Sequence, residues 1–459
     1  MKIKRVTLVI VFLLGLACNT IVNGFITSAN QSSIHSTQTA LSTTPASVYI
    51  PPSCQTSAIA TIPVSTTIAQ PTQEAGANPV LSNNQQFKVF AQLVNKINNV
   101  YLYPDFNGVD WKSLVASSSA KVQSGLGTEA FYTEMSNLVS ALGDEHSQFL
   151  SPSILKASEA QSTGTNDFVG IGVILQPMLD KGHLSILSIF PGSAAEHGGL
   201  KPHDSLIALD GLPLVKDGIA YSERLRGPAC SAVSLTIQSP GGLPHNTVFI
   251  RYEITGPESV DARLISTVDG SRIGYIFIPT FLDETIPGQI KQALKDFGPL
   301  DGLVLDNRMN SGGFSDVAIP VLSYFTTGIL GQFISRSEQR AVEIKADPIN
   351  NSQTVPLVIL AGKDTVSFGE IFAGILQDQG RAKIVGQTTA GKVEILHGYD
   401  FSDGSRAWIA QERFEPIHSH ANWEKNGVHP DVQAYADWDT FTFENDPSVK
   451  AALKLLGHH

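Results

Sequence analysis

Length, composition and charge exclude several classes of protein. The chain has 459 residues, 42% of them hydrophobic, and its 31 Lys and Arg against 42 Asp and Glu give a net charge of −11. A negative balance without a run of basic residues argues against nucleic-acid binding. The absence of a second long apolar run argues against a polytopic membrane protein. The length is sufficient for about three domains.

Residues 1–25 are predicted to be an export signal. Basic residues precede an apolar run from Val6 to Leu16, which is too short to span a bilayer. The run ends just before Cys18, and this order resembles a bacterial lipoprotein signal in which Cys18 would carry lipid. Ordinary secretion and an uncleaved anchor extended to Val22 stay open. Each alternative predicts an exported protein, either secreted or anchored at the cell surface.

Residues 26–85 are predicted to form a disordered stalk. They are mainly Ser, Thr, Ala, Pro, Gln and Asn, with Tyr49 as the one aromatic residue. Such a segment has too little apolar surface to offset the entropy lost on ordering. The three cysteines, Cys18, Cys54 and Cys230, are far apart. Their spacing predicts neither a disulfide framework nor a metal-binding cysteine pair.

The remainder of the chain divides into three regions by pattern. Apolar residues at helical spacing in 86–100 and 128–142 predict an N-terminal helical region, 86–160. Short β runs separated by turn residues predict a compact module over 165–255. Its predicted strands are 173–175, 184–189, 206–209 and 233–237, and its predicted helices are 193–197 and 218–225.

Residues 256–459 are predicted to form an α/β core, because strands alternate with helices of ten or more residues. The predicted strands are 273–278, 303–305, 355–361 and 383–385, and the predicted helices are 285–297 and 367–379.

Two places in this core have residues suited to acyl chemistry. The strand 303–305 leads into Gly312-Gly313, where backbone N–H groups could approach a ligand closely, although a simple tight turn would look the same. Ser367 precedes the helix 368–379, where a nucleophile would be favourably placed. Ser367 and Glu370 also fit a capping box, in which the hydroxyl only bonds the first-turn amides.

Lys392 follows the next strand and is a candidate general base. A lysine in such a loop is usually a solvated charge. A lysine that acts as a base must be neutral, and burial is what lowers the pKa of a lysine. If Lys392 has this role, we expect it to be largely buried, with its amine within hydrogen-bonding distance of Ser367.

These segments, together with others in the same order, resemble the carboxyl-terminal processing proteases, also called tail-specific proteases, a family of Ser/Lys serine peptidases. The resemblance covers about 86–435. The segments that carry it are 144–150, 168–173, 191–204, 225–228, 306–313, 365–370, 391–392, 401–405 and 426–432.

The resemblance implies a crotonase/ClpP-like α/β peptidase core with an inserted PDZ domain over 165–255 and a small N-terminal helical region. It implies Ser367 as nucleophile, Lys392 as general base, and backbone N–H groups of Gly312, Gly313 and Phe368 as the oxyanion hole. No metal or organic cofactor is implied.

For the PDZ domain, the resemblance implies that Gly170-Ile171-Gly172 is the loop that binds a chain terminus. The expected partners are proteins or peptides with accessible apolar C-termini, and not nucleic acid. The activity implied is that of a serine endopeptidase acting on exported proteins. A noncatalytic peptide-binding or chaperone-like protein on the same fold is the alternative. Neither the physiological substrate nor the oligomeric state follows from the sequence.

The sequence departs from the family at several positions. Leu396 stands where a polar residue, commonly Gln, supports the lysine, and Glu394 is the nearest substitute. Phe368 replaces a small residue after the nucleophile. In the PDZ stretch, His203 and Cys230 stand where glycine is usual.

Overall fold

The computed structural model describes residues 48–55, 78–156, 168–255 and 260–458. The predicted export signal and Cys18 lie outside these residues. In the ranges that are described, every helix is too short or too polar to cross a bilayer.

Three helices open the globular part: α1 (Asn83–Val100), α2 (Trp111–Gln123) and α3 (Thr128–Ser140). The helix α1 begins at a capping box formed by Ser82 and Gln85. Leu81, just before it, is buried, and its N–H donates to Thr128 Oγ1 at 3.1 Å. The stalk prediction is therefore wrong for residues 78–85. Helix α2 was not predicted, because only three of its residues are buried and its apolar pattern is weak. A short strand, β1 (Gln148–Leu150), follows.

The module contains one short helix, α4 (Ala194–His197), and ten strands. The strands are β2 (Phe168–Gly170), β3 (Val173–Met178), β4 (His183–Ile189), β5 (Ser205–Leu209), β6 (Leu212–Pro213), β7 (Val215–Lys216), β8 (Ile219–Ala220), β9 (Ala232–Gln238), β10 (His245–Ile250) and β11 (Tyr252–Ile254). The main sheet has the order β10-β9-β5-β4-β3, with β6 beside β5, while β2 pairs with β11 and β7 with β8. The helix predicted over 218–225 is wrong in its first half. There the chain forms β8, and only Ser222–Leu225 is helical, as a 3-10 turn.

The last region contains the predicted strands and helices together with several strands that were not predicted. Its strands are β12 (Asp261–Ser266), β13 (Arg272–Phe277), β14 (Gly302–Asp306), β15 (Gly328–Ile334), β16 (Gln339–Ile344), β17 (Leu357–Ala361), β18 (Lys383–Gly386), β19 (Ile395–Asp400), β20 (Arg406–Pro416) and β21 (Val432–Gln433). Its helices are α5 (Ile286–Phe297), α6 (Ser315–Ser323), α7 (Phe368–Asp378) and α8 (Pro447–Leu455). Short 3-10 helices lie at Trp438–Thr440 and Phe443–Asn445.

Two sheets organise this region. The central sheet has the order β12-β13-β14-β17-β18-β21 and is parallel except between β12 and β13. The second sheet is β1-β20-β15-β16, with β19 beside β20. Helices α1, α3, α5, α6 and α7 contribute side chains to one continuous hydrophobic core with both sheets. The opposite face of the central sheet is covered by the segment from Trp438 to Leu456 and by Met178 and Leu187 of the module.

A disulfide joins Cys54 to Cys230 across a sequence separation of 176. It holds the segment 48–55 against the module, where the ring of Tyr49 stacks on His197 with centroids 3.7 Å apart. The predictions of a disordered stalk at 48–55 and of no disulfide are both wrong. Spacing along the chain could not reveal this pair, because folding alone brings the two cysteines together.

Two of the positions at which the sequence departs from the family have a positive φ angle. His203 has φ 77° and Cys230 has φ 61°, a region that residues other than glycine enter at a cost. Each is held by contacts that glycine would lack. His203 packs on the ring of Trp438, with ring centroids 4.2 Å apart, and Cys230 is held by its disulfide.

Candidate active site

Ser367 lies between β17 and α7, at the carboxyl edge of the central sheet. Its backbone has φ 56° and ψ −125°, a combination that costs of order 1–3 kcal/mol and persists only where the surroundings enforce it. The side chain is 2% exposed. Its hydroxyl makes no hydrogen bond to any residue in the described ranges. The Ser367 N–H donates to Glu370 Oε1 at 3.2 Å, which is one half of the predicted capping box.

Glu370, in the first turn of α7, fixes the backbone around Ser367. Its buried carboxylate accepts the N–H groups of Ser367 at 3.2 Å, Gly391 at 2.6 Å and Lys392 at 2.8 Å, and the hydroxyl of Thr389. Burial raises the pKa of Glu370, and these hydrogen bonds oppose that rise. One side chain thus joins the start of α7 to the 389–392 loop.

Lys392 is held next to Ser367 by its backbone but not by its amine. The N–H of Ser367 donates to the carbonyl of Lys392 at 2.9 Å. The Lys392 amine instead lies 3.3 Å from the Glu145 carboxylate, and its side chain is 38% exposed. The expected burial of Lys392, with its amine on Ser367, is therefore wrong for this conformation. The cause is Glu145, a distant residue that no local pattern connects to the lysine.

The glycine turn after β14 packs directly on the serine. Gly312 has φ 92°, and a Cβ there would lie 2.7 Å from the Cβ of Ser367 and 3.1 Å from the N of Phe368. Its own N–H donates to Asn310 Oδ1 at 2.8 Å, so one of the three expected donors is engaged. The N–H groups of Gly313 and Phe368 donate to no acceptor among the described residues.

Ionic contacts beneath the turn keep it rigid. The Arg308 guanidinium pairs with Asp306, which ends β14, and with Asp446 before α8, each at 2.5 Å. Tyr275 on the neighbouring strand donates to Asp306 at 2.7 Å. The neighbouring carboxylates hold the pKa of Arg308 well above its usual value, despite burial. Asp306 and Arg308 belong to the segment 306–313 that carries the family resemblance, whereas no sequence pattern pointed to Asp446.

The residues after Lys392 do not support its amine in this conformation. Leu396 is buried in the hydrophobic core. The Glu394 carboxylate accepts a hydrogen bond from Tyr103 and lies 3.7 Å from His146 Nε2.

Close packing and a positive φ shape the Gly170-Ile171-Gly172 loop. Gly172 has φ 82°, and a Cβ there would lie 2.3 Å from the Cβ of Ser193, so a glycine is required. The N–H groups of Ile171 and Gly172 have no acceptor among the residues described. Gly170 packs near the carbonyl of Leu225.

Comparison with known proteins gives consistent matches. The model for peptidase family S41 matches residues 272–434. The carboxyl-terminal-processing protease of Synechocystis sp. is 28% identical over 384 residues, 82% of this chain and 88% of that protein. The chloroplastic C-terminal processing peptidase of Tetradesmus obliquus is 28% identical over 376 residues, 78% of this chain and 79% of that protein.

The fold agrees with the sequence matches. The solved structure of the photosystem II D1 C-terminal processing protease has a TM-score of 0.56 and 25% identity to this chain, covering 81% of this chain and 97% of its own. The predicted α/β peptidase fold is confirmed. The chain therefore contains a peptidase family S41 domain, and its similarity to these proteins supports the predicted relationship to the carboxyl-terminal processing proteases.

Proposed function

We propose that the protein is an exported serine endopeptidase in which Ser367 is the nucleophile, Lys392 is the general base, and the module at 165–255 is a PDZ domain that captures substrate C-termini. The observation that supports this most directly is the state of Ser367. A non-glycine residue is held in a strained conformation, and its hydroxyl has no hydrogen-bond partner among the described residues. Strain of this kind clusters at active sites. Export, with Cys18 as the candidate lipid-bearing residue, is part of the proposal and rests on the sequence.

The chemistry follows from the donors and acceptors around Ser367. A neutral Lys392 amine takes the Ser367 proton as the oxygen attacks a peptide carbonyl. The resulting oxyanion accepts hydrogen bonds from the N–H groups of Phe368 and Gly313, and one such donor is typically worth about 3 kcal/mol. The protonated lysine then gives its proton to the leaving amine, and water hydrolyses the acyl-enzyme. Gly312 N–H can join the hole only after it releases Asn310.

Ser367 is buried, so a substrate must displace what covers it. The Lys392 amine must also leave Glu145 to reach Ser367. Because both partners of that ion pair are substantially exposed, the pair is worth about 1 kcal/mol or less. This barrier is small enough for substrate binding to overcome.

Substrate recognition is assigned to the Gly170-Ile171-Gly172 loop. A PDZ domain adds a chain terminus as an extra strand and holds its carboxylate with backbone amides. The unpartnered N–H groups of Ile171 and Gly172 fit that role. The guanidinium of Arg226 lies 5.0 Å from the ring centre of Phe168, at the start of the loop. A cation there would favour the carboxylate of a bound C-terminus.

The pairing of Lys392 with Glu145 favours a second candidate, a noncatalytic protein that binds peptides through the same loop. The two candidates make different predictions for turnover. The whole chain is incubated with an unstructured protein that ends in apolar residues, and cleavage and C-terminal peptide binding are both measured. If the chain is an enzyme, Ser367→Ala and Lys392→Ala each abolish cleavage and keep peptide binding.

Lys291→Ala is the matched control, because Lys291 is also 38% exposed and ion-paired but lies on α5. It should cleave like the parent chain. Binding without cleavage by the parent chain would establish the noncatalytic alternative. Equal cleavage by the parent chain and the Ser367 variant would remove Ser367 as the nucleophile.

A further inference from the structure

A buried cluster of one imidazole and two carboxylates lies beside the Lys392 segment and has no part in the proposed chemistry. His146 lies in the loop before β1, and Glu424 lies in the loop before β21. Glu394 immediately precedes β19. One nitrogen or oxygen atom from each residue lies within 4.8 Å of the other two. His146 Nε2 and Glu394 Oε2 lie 3.7 Å apart.

One carboxylate oxygen in this cluster is left without a partner. The Glu394 side chain is 1% exposed. Its Oε1 accepts a hydrogen bond from the Tyr103 hydroxyl at 2.5 Å. Its Oε2, which lies on the His146 side, accepts no hydrogen bond from any described residue. Burying an oxygen atom without a hydrogen-bond partner costs free energy unless a water molecule or an ion binds it.

The surroundings of the cluster are acidic. The Asp144 carboxylate acts electrostatically on Glu394, and the Glu370 carboxylate acts on Glu424, while Lys425 opposes both. Additional carboxylates near the cluster would attract a bound cation.

We propose that His146, Glu394 and Glu424 form a binding site for a divalent transition-metal ion, of which Zn²⁺ is the best match. One imidazole and two carboxylates are ligands that Zn²⁺ accepts, with a fourth position left open. Metal–ligand distances of about 2.0–2.2 Å in a tetrahedron place ligand atoms about 3.4 Å apart. The 3.7 Å between His146 Nε2 and Glu394 Oε2 is near that value. A separation at the 4.8 Å limit would have to close by about 1.4 Å.

The surrounding hydrogen bonds hold the carboxylates in place. The Tyr103 hydroxyl orients Glu394, and the N–H of Val393 donates to Glu424 Oε2 at 2.9 Å. Partners of this kind typically orient metal ligands and raise affinity. The imidazole disfavours Mg²⁺ and Ca²⁺, which prefer all-oxygen sites.

The test uses the whole chain carrying Ser367→Ala, so that the result does not depend on cleavage. After removal of metal with a chelator, Zn²⁺ is titrated by calorimetry, and the thermal unfolding midpoint is measured with and without Zn²⁺. The same measurements are made on two further variants, which carry either Glu394→Gln or His146→Gln in addition to Ser367→Ala. His397→Gln is the matched control, because His397 also pairs with a buried carboxylate, Glu412, at 2.9 Å but lies outside the cluster.

We expect the Ser367→Ala parent and the His397→Gln variant to bind one more equivalent of Zn²⁺ than the Glu394→Gln and His146→Gln variants. Zn²⁺ should raise the unfolding midpoint of the first two proteins. Loss of one ligand should weaken this site by about 100-fold or more, since loss of an orienting partner alone costs 10–100-fold. Glu394→Gln replaces the carboxyl with a neutral group of the same shape, so it should keep its metal-free unfolding midpoint. Equal Zn²⁺ binding by all four proteins would overturn the proposal, as would displacement of the ion by equimolar Mg²⁺.

Discussion

The N–H of Ser367 and the carbonyl of Lys392 form a hydrogen bond of 2.9 Å, while the Lys392 amine is paired with Glu145. The backbone of the two residues is already adjacent. Under the proposed mechanism, the Lys392 side chain must leave Glu145 and turn towards Ser367.

Removing the charge of Glu145 should increase cleavage. Glu145→Gln keeps the size of the side chain and removes the attraction that holds the Lys392 amine. Because an exposed pair is worth about 1 kcal/mol or less, we expect a rate increase of up to about fivefold. Asp347→Asn breaks a comparably exposed ion pair on the far side of α5 and should leave the rate unchanged. An unchanged rate in Glu145→Gln would show that this pair does not restrain the lysine.

Gly312→Ala should greatly reduce cleavage. Its Cβ would lie 2.7 Å from that of Ser367, so the serine or the turn must move, and such a displacement can cost about 100-fold in rate. Gly328→Ala is the matched control, because Gly328 has φ 93° and nothing within 4 Å of the added Cβ. Both changes should lower the free energy of unfolding by about 1 kcal/mol from backbone strain alone. Comparable cleavage by the two variants would contradict a functional contact between Gly312 and Ser367.

Loss of the Cys54–Cys230 bridge should destabilise the folded chain. Cys54→Ser and Cys230→Ser should each lower the free energy of unfolding by about 2–5 kcal/mol, because the unfolded chain loses a long covalent loop. A reductant should have the same effect on the parent protein and no further effect on either variant. Thermal unfolding at fixed pH measures all of these, and insensitivity of the parent to reductant would contradict the expectation.

Acidification should destabilise the contact between the module and the core at His203. Burial lowers the pKa of His203, although its bond to the Trp438 carbonyl and the Asp446 and Asp306 carboxylates oppose this, and Arg308 adds to it. The unfolded chain therefore binds a proton at His203 more tightly than the folded chain does. The contribution of neutral His203 to stability is fully present above the pKa of about 6.5 in the unfolded chain and is lost as the pH falls below it.

His203→Asn should reduce this loss, because asparagine tolerates the left-handed backbone and keeps a donor. His245→Asn, on the exposed strand β10, is the control and should keep the parent's pH dependence. The measurement is the thermal unfolding midpoint between pH 7.5 and 5.5. Parallel pH profiles for the parent and His203→Asn would show that His203 is not the responsible group.

The sequence predicted the central sheet well because its signals are local. Buried elements such as β14, β17 and α7 lie within two residues of their predicted limits. The strands of the second sheet were not predicted, including the local hairpins β15–β16 and β19–β20. Its assembly also depends on a distant pairing. Strand β20 pairs with β1, more than 250 positions earlier in the chain, and no local pattern encodes that partner.

The same distinction applies to the candidate site. The backbone neighbours of Ser367 could be anticipated from the serine, the glycine pair and the lysine, because each lies at the end of a recognisable strand. The side-chain position of Lys392 could not be anticipated, because Glu145 lies on a loop that only the fold brings near. Cys54 and Cys230 were missed for the same reason.

The bridge between Cys54 and Cys230 also changes how the module is connected to the rest of the molecule. An ordinary inserted domain is attached by two polypeptide links, here the ones that enter at Phe168 and leave after Ile254. This module has a third covalent attachment, which runs through Cys54 and back to α1. Cutting the chain on both sides of the insertion would therefore still leave the module joined to the peptidase core until the disulfide is reduced.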